Sequence, residues 1–315
     1  MNGLRAPLVA VATLAVLAFG SSTAEAAAKG SRRSNARTGR LSPALAELVK
    51  ASKRGDRAAL GRVADRIGPA RLGDAIASSQ AGVGEAALAA APLMRGGALL
   101  VGAIAVQLWA SDPGRAIGAA TALGTLLDGA VPTELEEWEV PPDVIAQACW
   151  GLKGVAANTK ATIAVRLAAI DAMAMSTATC GPLGDVTPLL RDGSPAIRRA
   201  AALVTPAGDR RAPLLREAIA DRDLSVSAAA TAAACRIESR VDRAGRTEPP
   251  DSVALAAARA QATAPATSPE DAVEMLDCLA AGREPADRAL LDQLQRRPPS
   301  PLRDRAVELA GGGVR

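Results

Sequence analysis

A short unit recurs along this chain and restricts its fold more than any other feature. It is a capping residue, a proline in the first turn, and then small apolar residues spaced to line one side of a helix. The clearest copy is 192–204, DGSPAIRRAAALV. Ser194 is placed to accept a hydrogen bond from a free first-turn amide, and Pro195 stands where a missing N–H costs nothing. Ile197, Ala200, Ala201 and Val204 fall at i, i+3, i+4 and i+7 on one face, with Arg198 and Arg199 directed elsewhere. The helix is expected to stop near Pro206, which cannot donate to the ladder.

The same grammar returns in DPGRAIGAATAL (112–123), DRDLSVSAAATAA (221–233) and, in looser register, SPLRDRAVELA (300–310). In the first, Ile117 and Ala120 repeat the positions of Ile197 and Ala200; in the second, Val226, Ala229 and Ala230 do. In the third, Leu302, Ala306 and Leu309 share a face. Weaker copies are 55–67, 80–91 and 158–170. Counted from Asp56, the anchors Gln80, Asp112, Asn158, Asp192 and Asp221 follow at steps of 24, 32, 46, 34 and 29 residues. Those steps scatter around the roughly 34 to 47 residues of helix-hairpin repeats.

On Asp192, Pro195, Ile197, Arg198, Ala200 and Ala201 the chain resembles the HEAT-repeat (armadillo-like) family, as an exported bacterial member. The resemblance implies an all-α fold, an irregular α-solenoid of HEAT-like helical hairpins over 42–310; a non-repeat helical bundle is the alternative. Gly118 and Ser227 stand where the family's arginine would be, so the resemblance implies an Asp/Arg ladder that is broken here.

The first 26 residues read as a secretory signal peptide. Arg5 precedes an apolar run from Leu8 to Phe19, and Ala24-Glu25-Ala26 forms a small-x-small cleavage site. The run is shorter than the roughly 20 residues of a membrane span. The expectation is therefore a periplasmic or secreted protein with no transmembrane segment in the mature chain. The excess of Arg over Lys and the abundance of Ala match the composition of GC-rich bacteria. Residues 27–41 read as a basic disordered linker and 311–315 as a flexible tail. Lys29, Arg32, Arg33, Arg37 and Arg40 are candidates for touching an anionic envelope surface. Arg5 and Glu25 cancel, and the linker's five cations outnumber the whole chain's net +4, so the body is close to neutral. Nucleic acid is not an expected partner, because the aromatic platform of single-strand binding is missing.

Past Phe19 there is no Phe, and the chain has no Tyr or His, so Leu, Val, Ile and Ala must build the core. Small side chains allow close helix approach but bury little area each, which suits many shallow interfaces. Lack of histidine removes the commonest general base and zinc ligand. The five lysines show no Ser-x-x-Lys arrangement. DRDLSVS (221–227) opens like a calcium loop but has Val226 in place of its glycine and Ala232 in place of its final glutamate, so it is assigned to a repeat turn. Met173, Met175 and Cys180 offer soft Cu(I) ligands, against a simpler reading as core and disulfide; Met275 and Cys278 are read the same way. No catalytic residue, cofactor or metal site is expected.

Cys149, Cys180, Cys235 and Cys278 allow three pairings in an oxidising space. Gaps of 31 and 43 residues favour Cys149–Cys180 and Cys235–Cys278, with buried free thiols as the alternative. The segment VPTELEEWEVPPD (131–143) breaks the helical rhythm, and Thr133 with Glu136 forms a capping-box pair. There Glu134, Glu136, Glu137 and Glu139 surround Trp138, a candidate anchor for a basic partner segment; the alternative is a connector whose Trp packs back. The functional expectation is a non-catalytic protein–protein interaction scaffold of the bacterial cell envelope, contacting another envelope protein or peptide segment. The alternatives are a HEAT-like enzyme such as a lyase, or an envelope-surface binding protein acting through the basic tail.

Overall fold

The computed structural model describes residues 41–128, 137–205, 213–241, 244–282 and 284–311. The expected signal segment, the linker cations from Lys29 to Arg40, and Glu134 and Glu136 lie outside the described residues. Pro43–Arg315 forms one contact unit. Among the described residues every regular element is helical, and the only extended pairing is an isolated antiparallel bridge between Val241 and Thr247. None of the described helices is long and apolar enough to cross a membrane.

The helices are α1 (Pro43–Lys53), α2 (Arg57–Ile67), α3 (Pro69–Ile76), α4 (Val83–Ala90), α5 (Val101–Gln107), α6 (Pro113–Leu126), α7 (Pro142–Ala157) and α8 (Ile163–Met175). After a one-turn α9 (Thr177–Cys180) come α10 (Pro195–Val204), α11 (Pro213–Ile219), α12 (Leu224–Cys235), α13 (Ser252–Gln261), α14 (Pro269–Gly282), α15 (Pro285–Gln295) and α16 (Pro301–Gly311). Local chemistry explains the starts. Side chains of Asp56, Asp112, Thr162, Asp223 and Asp251 each accept a first-turn amide of the helix they precede. Ser194 stands at the N-cap of α10 but makes no side-chain cap bond. Asp192 does the local work instead, its carboxylate accepting the Ser194 amide at 2.9 Å.

The chain packs as successive helix pairs. In α3/α4, α5/α6, α7/α8, α11/α12, α13/α14 and α15/α16 the two members touch, and the tight turn Thr187–Arg191 takes the first place beside α10. The second members α4, α6, α8, α10, α12, α14 and α16 each pack on the next. First members do so more patchily, through α3–α5–α7 and α11–α13. A second member is thus covered from both neighbours and from its own partner, which is why Val226–Cys235 of α12 is buried without interruption. Alanine makes that possible because a helix with no wide side chain can be approached from every side.

The apolar stretch 96–108 is divided and not one helix: Gly96 sits at φ +75° and turns the chain before a tight turn at Gly97–Leu100, and only then does α5 begin. A Cβ on Gly97 would strike the Ala91 carbonyl, so the backbone itself closes this corner. Leu99 and Val106 face outward.

Candidate functional site

The second-row helices are joined by an ion pair that recurs in fixed register. Arg166, four residues after the cap Thr162 of α8, makes a two-pronged pair with Asp192, which lies two residues before the cap of α10. Arg198, four after Ser194, repeats it with Asp221, two before the Asp223 cap of α12, at 2.7 and 3.0 Å. Both rungs are nearly dry: the side chains are 3% and 9% exposed in the first and 10% and 11% in the second. Each guanidinium also satisfies a carbonyl, Arg166 at Ala156 and Arg198 at Asp192. Burial pushes the Asp192 carboxyl up, but the Arg166 guanidinium and the Ser194 amide outweigh it and hold the group below the usual carboxylate range. For Asp221 the Arg198 pair is the leading influence and also lowers it.

These rungs correct one sequence expectation and bound another. Arg198 does not project away from the packed face; it is buried, because its fork closes the joint to the next pair. The ladder is broken in α6 and at Ser227, as expected, and between those breaks it runs across α8, α10 and α12. Asp112 is itself the cap of α6, whereas Asp192 precedes its cap by two, so the arginine position in α6 is Ala116 and not Gly118. Ser227 does end the ladder, donating to the Ile219 carbonyl and accepting from Gln261.

In the same register, the joint from α6 to α8 pairs Ala116 with Lys160, two before Thr162. The arginine and the aspartate are both gone. What stands there is a cavity of about 250 Å³, lined by both residues. Its floor is Leu108, Ala116, Val155 and Val165, all buried, while Trp109, Ser111, Pro113, Lys160 and Thr162 are exposed around it. Lys160 is the only formally charged side chain in the lining, and among the described residues no carboxylate pairs with it. The Asp112 carboxylate nearby is turned onto the Arg115 amide as the α6 cap.

At the cavity's edge and beyond it, Trp109 and Trp138 are seated on glycines. A Cβ on Gly102 would lie 3.4 Å from Val144, one on Gly151 2.8 Å from Leu108, and one on Gly154 3.1 Å from the Trp109 ring. The contacts advance together along both chains, so α5 and α7 run in the same direction. Trp109 thus rests on Gly154, and Trp150 lies one turn earlier on that stripe of α7. Trp109 is 57% and Trp150 58% exposed, with Val106 at 69% one turn before Trp109. Trp138 is half-buried, with its ring 3.3 Å from the Cβ that Gly96 lacks. Glu137, exposed, stands 4.0 Å from Arg95, and Glu139 is exposed at φ +47°.

The four cysteines form two disulfides, Cys149–Cys180 between α7 and α9, and Cys235–Cys278 between α12 and α14. Cys180 and Cys278 therefore carry no thiolate, Met173 and Met275 are buried, and Met175 lies against Gly124. Asp221, first residue of the calcium-like loop, is held by Arg198, and Asp223 by the Ser225 hydroxyl and amide. A second cavity of about 260 Å³ near Arg236, Glu274, Asp277 and Arg305 has its charges paired internally, Arg305 with Asp277 at 2.7 Å and Arg236 with Glu274 at 3.5 Å. Sequence reasoning missed Trp109, Trp150 and Lys160. The signal was present: three Trp are the only aromatic residues after Phe19.

No protein-family model and no curated protein matches this chain. Among solved structures, a crystal structure of an engineered protein from the Northeast Structural Genomics Consortium is similar at 16% identity. The match covers 87% of this chain and 98% of that one, with a TM-score of 0.32.

Proposed function

We propose that this protein is a non-catalytic, protein-binding scaffold of the cell envelope, built as an irregular α-solenoid of HEAT-like hairpins. The repeating pair-on-pair packing and the Arg–Asp rungs in constant register support the solenoid reading. The two disulfides support residence in an oxidising compartment, in keeping with the signal-like N-terminus. A chain without histidine has few routes to general base chemistry at neutral pH.

The observation that carries the binding reading is the exposure of Trp109, in the turn after α5, and of Trp150, on the adjoining α7. A chain with so few aromatic residues has every reason to bury them, since each ring contributes far more apolar area than an alanine. Leaving two in water, next to exposed Val106, gives the surface the residue type most enriched at binding hot spots. The test is cross-linking in the native host, with capture of the full chain and mass spectrometry, comparing wild type with Trp109→Ala/Trp150→Ala. One envelope protein recovered with the wild type and lost from the variant, at unchanged helical circular dichroism, is the expected result. Recovery of the same proteins from both would remove this surface from the function.

A further inference from the structure

We infer that the cavity between α6 and α8 is a receptor for the C-terminal residue of a partner polypeptide, an aliphatic residue whose free α-carboxylate pairs with Lys160. The inference rests on the scaffold reading and names the chemistry of its partner.

The charge follows from what the missing rung leaves behind. At the two filled joints a carboxylate meets a guanidinium inside the stack. At this joint the guanidinium is replaced by the methyl of Ala116 and the carboxylate by the ammonium of Lys160, so a cation is present without its anion. An incoming carboxylate completes a charge pair there, and the hydroxyls of Ser111 and Thr162 in the lining are able to donate to it.

The rest of the ligand follows from where the charge sits. Lys160 is exposed at the rim, and the buried floor is Leu108, Ala116, Val155 and Val165, with no charged side chain. An internal Asp or Glu would carry its charge down to that floor, far from the cation. A chain-terminal aliphatic residue has the opposite layout: its side chain points to the floor while the α-carboxylate stays level with Lys160. The volume of about 250 Å³ suits one such residue, below the roughly 300 to 1,000 Å³ of drug-sized ligand sites. The residues before it would leave across the Trp109 ring toward Val106 and Trp150, which are already exposed.

The experiment uses the full mature chain and a six-residue alanine-rich peptide ending in leucine, followed by isothermal titration calorimetry. Four ligands are compared: the free acid, its C-terminal amide, the same peptide ending in aspartate, and hexanoate. Two variants are compared with wild type, Lys160→Gln, at an exposed position, and Ala116→Leu, which fills the floor; circular dichroism checks the fold of each. The expected result is saturable binding of the free acid, weakened about tenfold or more by amidation and by Lys160→Gln, as for loss of a charge-assisted hydrogen bond. Ala116→Leu is expected to abolish it. Equal affinity for acid and amide, or an unchanged affinity in folded Lys160→Gln, overturns the assignment. Hexanoate binding as tightly as the peptide overturns the polypeptide source in favour of a small carboxylate, and a preference for the aspartate peptide overturns the layout argued above. If Lys160→Gln leaves host-protein capture intact while Trp109→Ala/Trp150→Ala removes it, the scaffold stands and this receptor site falls.

Discussion

Residues 43–127 and 142–311 solve the same problem by different means. Both stack helices that are rich in alanine and poor in large apolar side chains. In the first region the joints are made by removing atoms. Gly61 lets the Leu93 carbonyl come within 2.8 Å of where a Cβ would be, Gly97 admits the Ala91 carbonyl, and Arg115 lies over Gly84 to reach the Ser78 carbonyl. Its Arg66–Glu47 pair, at 61% and 51% exposure, adds little. In the second region the joints are made by adding charge: Arg166–Asp192, Arg198–Asp221, Arg199–Asp271, Arg259–Asp287 and Arg305–Asp277 each have a carboxylate no more than 11% exposed. Both disulfides fall there as well. The difference teaches where the cavity comes from. It opens at the boundary between the regions, in the α6–α8 joint, which is drawn together by Gly124 against Ala172 at one end but has no ion pair at the other.

The comparison breaks most visibly at a buried rung. Arg198→Ala removes the guanidinium that pairs with the buried Asp221 carboxylate and is expected to cost about 3 to 5 kcal/mol. Arg66→Ala in the first region is expected to cost well under about 1 kcal/mol. Urea unfolding of the two variants checks both, and equal losses would erase the distinction. Next in size is the Cys235→Ala/Cys278→Ala pair, which releases a 43-residue link and is expected to lower stability by about 2 to 4 kcal/mol. The thermal midpoint with and without reductant measures it, and reductant should add nothing further at that bond in the variant.

Smaller still is Gly61→Ala. In an open helix that change would gain up to about 1 kcal/mol, but here the methyl meets the Leu93 carbonyl, so a net loss of about 1 to 3 kcal/mol is expected. Gly193→Ala, with nothing within 4 Å of the new carbon, should stay within about 0.5 kcal/mol. A small gain sharpens the comparison from the other side. Ala116→Arg with Lys160→Asp installs the missing rung, and a gain of at most about 1 kcal/mol is expected at a half-open joint. The double variant should exceed the sum of its singles.

What was legible in the sequence was local. Asp56 and Asp112 cap the helices that follow them, prolines mark first turns, and α10 and α16 begin where Ser194 and Ser300 precede a proline. These signals act within four residues of chain. The rungs escaped notice because Arg166 and Asp192 are 26 residues apart and meet only after two pairs have stacked. Asp112 and Asp192 look alike in sequence yet differ by two positions relative to their caps, which misplaced the arginine position onto Gly118. Trp109 escaped for another reason: the apolar run before it suggested burial, and only the turn at Gly96 and Gly97 shows the run to be divided with its end turned outward.

The regional difference in charge makes one direct measurement decisive. Asp192 and Asp221 are held below the ordinary carboxylate range in the folded chain, so the unfolded chain binds more protons as pH falls. Their stabilisation is therefore complete above about pH 4 and is lost as pH drops through the folded values. The measurement is a hydrogen-exchange pulse at one fixed pH after equilibration between pH 6 and pH 2, read peptide by peptide on the full chain. Ion-paired joints predict that residues 163–235 lose protection first, while 57–76 and 113–126 keep theirs to lower pH. Simultaneous loss across both regions, or loss that begins before residue 128, would contradict the division of the molecule into glycine-packed and charge-locked halves.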